Sequence, residues 1–90
     1  MLVLPEELTH AHAAACLRML IQGLPSQTGA AVVVDAAALQ RFDSSALAVL
    51  LEFRRASVDL GKAFDLRHLC EGLKNLAKLY GVDELLRPAA

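Results

Sequence analysis

The sequence predicts an α/β domain: a small, mainly parallel sheet with three main helices. Three observations carry this. Short apolar runs of strand length alternate with longer segments whose apolar residues recur at i, i+3 and i+4, and such alternation favours parallel strands joined by helical crossovers. The run Ala30-Ala31-Val32-Val33-Val34 is continuous and partly β-branched, the pattern of a strand covered on both faces. Leu and Ala, 18 and 16 of 90 residues, dominate the apolar content, whereas three Phe, one Tyr and no Trp argue against a β-sandwich.

The elements follow in order. Leu2-Val3-Leu4 is a short strand stopped by Pro5, and Thr9 is placed to cap a helix. Ala13, Cys16, Leu17, Leu20, Ile21 and Leu24 form one apolar stripe, so a first helix runs to about Gly23, followed by a loop at Pro25-Ser26-Gln27-Thr28-Gly29. The Ala30 to Val34 run is the central strand, closed by Asp35, and Ala36 to Phe42 is a connection. Asp43-Ser44-Ser45 reads as a helix start, and the second helix spans Ala46 to about Leu60, with Ala46, Val49, Leu50, Phe53 and Ser57 inward, ending at Gly61. A third strand lies within Lys62 to Leu69, and Leu73, Leu76, Ala77 and Tyr80 mark a third helix capped at Gly81. Val82 to Leu86 adds a turn whose Leu residues close over the sheet edge, and Arg87 to Ala90 is expected to fray.

Length and composition bound the function. Ninety residues make one domain, and a chain this short buries only roughly 60 to 65% of its unfolded surface, so a partner or a homodimer would add stability. The longest apolar run, Ala46 to Leu51, falls far short of the ~20 residues that span a bilayer, which predicts a soluble, cytoplasmic protein with no direct membrane insertion. A net charge of -1 with scattered Lys and Arg gives no footprint for nucleic acid. Cys16 and Cys70, each among apolar neighbours, read as buried reduced thiols.

Chemistry-bearing residues are sparse. His10 and His12, two apart at a helix start, point in different directions and cannot easily share one metal, and His68 lies apart in the third strand. No Gly-rich phosphate loop, CxxC or HExxH pattern occurs, so no cofactor or metal is implied. Ser44 and Asp35 could suggest a hydrolase, but Arg41 to Leu47 holds no Gly for a nucleophile elbow, and the chain is too short to build a large substrate pocket. Asp43-Ser44-Ser45 stands out. One residue suffices to cap a helix, whereas three polar residues in succession put hydroxyls at the C-terminal edge of the sheet, where α/β folds tend to place binding sites. A phosphoryl group on Ser44 would sit favourably at the positive end of the helix dipole.

Val32-Val33-Val34-Asp35, a short connection, and then Phe42-Asp43-Ser44-Ser45-Ala46-Leu47-Ala48-Val49-Leu50-Leu51 resemble the signature of STAS domains, the fold of bacterial anti-sigma factor antagonists. In that family an Asp-Ser or Asp-Thr pair opens the second helix, and its hydroxyl is phosphorylated by a kinase partner. By position that hydroxyl is Ser44, with Asp43 before it. Leu47 to Leu51 and, more specifically, Leu76-Ala77-Lys78-Leu79-Tyr80-Gly81-Val82 are similar to the branch of the family that serves as a small subunit of Mla-type phospholipid ABC transporters. Glu7-Leu8-Thr9 resembles the end of the family's second strand, so the family's first strand is expected to be missing, as are the C-terminal strand and helix of the longer antagonists. Ala46 stands where the family usually has Gly.

The resemblance implies a STAS domain over residues 1–90 that is not an enzyme. It implies a cytoplasmic subunit at the inner-membrane transporter that binds and regulates the MlaF-like ATPase subunit, supporting phospholipid transport and outer-membrane lipid asymmetry. The expected contact surface comprises Asp43, Ser44 and Ser45, ringed by the charges of Arg41, Arg54, Lys74 and Lys78. The alternative partner is an anti-sigma serine kinase that switches the domain by phosphorylating Ser44.

Overall fold

The computed structural model describes residues 1–86, so the expected fraying of Arg87 to Ala90 lies outside the described residues. Five strands and three α-helices follow one another as β1 (Leu2–Val3), β2 (Glu7–Leu8), α1 (His10–Gly23), β3 (Ala31–Asp35), β4 (Arg41–Phe42), α2 (Ser44–Asp59), β5 (Ala63–Arg67) and α3 (Glu71–Leu79). β1, β3 and β5 form a parallel sheet in that spatial order, with Val34 opposite Leu2 on one side and Leu66 on the other. β3 is thus central, as its apolar run predicts.

Its burial is one-sided, which corrects the expectation of cover on both faces. Val32 and Val34 are fully buried, but Ala31 is exposed and Val33 and Asp35 are half-buried. The covered face, with Phe64 and Leu66 of β5, meets Leu20, Leu50, Phe53 and Leu73 from the helices. The opposite face stays open among the described residues, because all three helices serve one core: α1 packs on α2, and α2 on β5 and α3. Within that core the Phe53 and Phe64 rings meet edge to face at 6.2 Å, and the buried Ser57 hydroxyl donates to the Phe53 carbonyl at 2.9 Å. Asp65 is buried, and Arg67 Nε and Nη2 each reach its Oδ2 at 2.9 Å while its Oδ1 has no hydrogen-bond partner among the described residues.

The segment from Ala36 to Phe42 is more than a connection. β4 pairs in parallel with β2, Glu7 opposite Arg41 and Leu8 opposite Phe42, after the Gln40 N–H donates to the Glu6 carbonyl at 2.8 Å. Two-residue strands rich in charge carry no apolar periodicity, so the sequence hides this second ladder. Ile21, assigned to the inner stripe of α1, is 40% exposed, and Cys70 is half-buried at the N-cap of α3 instead of lying in the core. The chain after α3 closes with a 3-10 turn at Asp83–Leu86 that packs on α3 and α2, with Leu86 buried and Leu85 facing solvent, so one Leu turns inward where the sequence suggests that both close over the sheet edge. No helix among the described residues is long and apolar enough to cross a membrane.

Candidate docking site

The ladder of β2 and β4 delivers the chain to the start of α2. Arg41 Nη1 lies 3.3 Å from Glu7 Oε1 across the ladder, and the other oxygen of Glu7 lies 3.8 Å from His12 Nε2. His12 in turn accepts the Thr9 N–H at Nδ1, taking the place that Glu or Gln holds in a capping box. The Phe42 ring rests against the first turn of α3: a Cβ at Gly72 would come within 3.1 Å of Cζ, so the missing side chain permits the approach.

Asp43 then joins two helices. Its Oδ1 accepts the Ser45 N–H at 2.8 Å, capping α2, and its Oδ2 accepts the His10 N–H at 3.0 Å, the first of α1. Both N-termini carry partial positive charge. These two bonds, that from His10 first, hold the Asp43 carboxyl below the usual carboxylate range. Asp43 is therefore the one capping residue that the helix start needs, and α2 begins at Ser44, two residues earlier than its apolar stripe suggests. Ser44 occupies the first helical position, exposed, and its hydroxyl makes no hydrogen bond among the described residues. Ser45 is half-buried behind it.

Beside Ser44 an open depression of about 360 Å³ is floored by Leu47, Ala48 and Leu51 and walled by Tyr80 and Val82. A Schellman turn builds that wall: Val82 N–H donates to the Ala77 carbonyl at 2.9 Å and Gly81 N–H to the Lys78 carbonyl at 3.0 Å, with Gly81 at φ 72°. Gly81 thus follows the cap residue, Tyr80, in the left-handed conformation that a side chain resists. Tyr80, one of the residues whose spacing marks the third helix, is its C-cap and 58% exposed, and the adjoining Leu79 is 79% exposed. An aromatic residue next to a helix-ending Gly was the available signal for this wall.

Lys74 and Lys78 do not share the depression beside Ser44. They line a second one of about 260 Å³, with Leu66 and Leu86 beneath and His68 beside them, and the two depressions have no lining residue in common. Lys74 Nζ also stands 3.5 Å from Glu71 Oε1. His68 is not in a strand: it follows β5 with φ at 60°. Arg54 is half-buried on α2. No group of three or more His, Cys, Asp or Glu among the described residues could hold a metal ion.

A mainly parallel sheet with helices on one face carries, at the capped start of its second helix, a hydroxyl that the fold leaves free. Residues 1–88 match the family model described as "Mlab, STAS domain", so the chain belongs to the STAS family, in its MlaB-type division. STAS domains are regulatory and binding modules. No match to a curated protein is found.

Proposed function

We propose that this domain is a non-enzymatic subunit that docks on the ATPase subunit of an Mla-type phospholipid ABC transporter at the cytoplasmic face of the inner membrane and regulates it, in support of phospholipid transport and outer-membrane lipid asymmetry. The observation that carries the reading is the unbonded Ser44 hydroxyl at the lip of an apolar depression. Because Asp43 does the capping, neither the hydroxyl nor the exposed faces of Ala48 and Tyr80 is required by the fold. Exposed apolar surface beside a polar group is the composition of a protein contact, and Tyr is favoured at its centre. In this reading Asp43 and Ser45 support the helix tip from behind, Arg41 flanks it, and Lys74 and Lys78 meet a partner that extends over α3. The match to the MlaB-type family model supports the choice of partner.

The test is co-expression with a transporter ATPase subunit of that type, followed by size-exclusion chromatography and an ATPase assay. A stable complex lost in Ser44→Glu and Tyr80→Ala, with both variants folded, is the expected result. The exposure of Ser44 favours one second reading, an anti-sigma factor antagonist phosphorylated there by a serine kinase. Transfer of phosphate from ATP to Ser44 by such a kinase, with no ATPase complex, would replace the first reading by the second.

A further inference from the structure

The depression that holds Lys74 and Lys78 lies at the carboxyl end of β5, bordered by α3 and the closing 3-10 turn. β3 and β5 end side by side there, Asp35 opposite Arg67, and the Ala36 N–H donates to the Arg67 carbonyl at 2.8 Å. His68 follows in the left-handed conformation at φ 60°, a region unfavourable for most residues with a side chain and enriched at functional sites. Its ring is fixed by Asp35: Oδ1 lies 2.9 Å from His68 Nδ1 and also accepts the Ala37 N–H at 2.9 Å. The turn brings the ring to the cavity wall instead of continuing the strand.

The cavity has two chemistries. Leu66, Ala77 and Leu86 present buried apolar atoms. Lys74 and Lys78 stand one helical turn apart at the rim, so their ammonium groups can converge on one ligand. Asp83 is the acidic lining residue and is engaged in an interaction of its own. A volume of 260 Å³ is that of about nine water molecules, at roughly 30 Å³ each, which suits one short alkyl chain with a small head group. Lys74 already has Glu71 Oε1 at 3.5 Å and the floor is nearly closed, so the ammonium groups at the rim supply the polar end of the site and the half-buried Leu69 its apolar wall.

We propose that this cavity binds a small anionic amphiphile, its carboxylate or phosphate head held by Lys74, Lys78 and His68 and its short apolar tail laid along Leu69 above Leu66 and Leu86. The cavity shares no lining residue with the depression beside Ser44, and although Lys74 and Lys78 also lie where the proposed partner extends over α3, binding by the free chain stands whether or not an ATPase docks.

The test is titration of the isotope-labelled full chain with octanoate, octyl phosphate, octanol and inorganic phosphate, followed by amide spectra. One or both octyl anions are expected to give saturable shifts at His68, Leu69 and Lys78, with octanol and inorganic phosphate weaker by about tenfold or more. The tighter of the two anions identifies the head group. Lys74→Gln with Lys78→Gln should weaken binding by about tenfold with an otherwise unchanged spectrum, while Arg55→Gln, at an exposed position on α2, leaves it unaltered. No saturable shift with either octyl anion, equal affinity for octanol, or undiminished affinity in the double Lys variant overturns the assignment.

Discussion

Ser44→Ala separates capping from contact. Were the Ser44 hydroxyl the cap of α2, its removal would cost about 1 kcal/mol. The cap is instead Asp43 Oδ1, 2.8 Å from the Ser45 N–H, and the Ser44 hydroxyl has no internal partner among the described residues. The remaining difference is helix propensity, in which Ala exceeds Ser by roughly 0.5 kcal/mol in a helix interior and by less at the first position. Ser44→Ala should therefore be as stable as the natural chain or slightly more so. Ser44→Glu adds an acidic group to a first turn that has none, worth about 0.3 to 1 kcal/mol against the helix dipole. With a urea slope of about 1 kcal/mol per molar, a gain of this size moves the unfolding midpoint up by roughly 0.3 to 1 M. Both variants should lose affinity for the ATPase partner, by about tenfold for Ala and more for Glu. A Ser44→Ala midpoint lowered by about 1 M would show that the hydroxyl is structural and would refute the assignment of capping to Asp43.

The other predictions concern the frame around that hydroxyl. Asp43 and Asp35 both have carboxyls held below the ordinary value of 3.8, Asp43 by the N–H groups of His10 and Ser45, Asp35 by that of Ala37 and then by His68. A depressed folded pKa contributes stability above the unfolded value that is lost as pH falls through the folded one. Urea midpoints should therefore drop below about pH 4, and Asp43→Asn, whose amide nitrogen cannot accept the His10 N–H, should show lower stability at pH 7 and a shallower acid slope. An unchanged slope would count against the double cap. Phe53→Ala should lose about 3 to 5 kcal/mol, because Phe53 is fully buried against Phe64, whereas Phe53→Leu loses less; thermal unfolding by circular dichroism checks the order. Burial pushes the Cys16 thiol up, so iodoacetamide should label Cys70 before Cys16, and equal rates would contradict the burial of Cys16 in the core.

How much of this was legible in the sequence depends on the range of the interactions. The stripe Ala46, Val49, Leu50, Phe53 and Ser57 lies inward as its spacing requires, because helical periodicity is a local property. The run Ala30 to Val34 identified the central strand, observed at Ala31–Asp35, but its second apolar side reflected strand propensity and not a second layer of helices, and nothing local distinguishes the two. Asp43 was readable as a cap for α2, since that bond spans two residues; its bond to His10 spans 33 and no spacing rule contains it. The same limit explains the charged rim. Lys74 and Lys78 share a helix face by their spacing, yet which depression that face borders is decided by His68 leaving β5 in a left-handed turn and by Leu86 folding back beneath it. The sequence thus located the hydroxyl that the fold leaves free, while the division of the surface into two chemically different depressions arises from tertiary contacts alone.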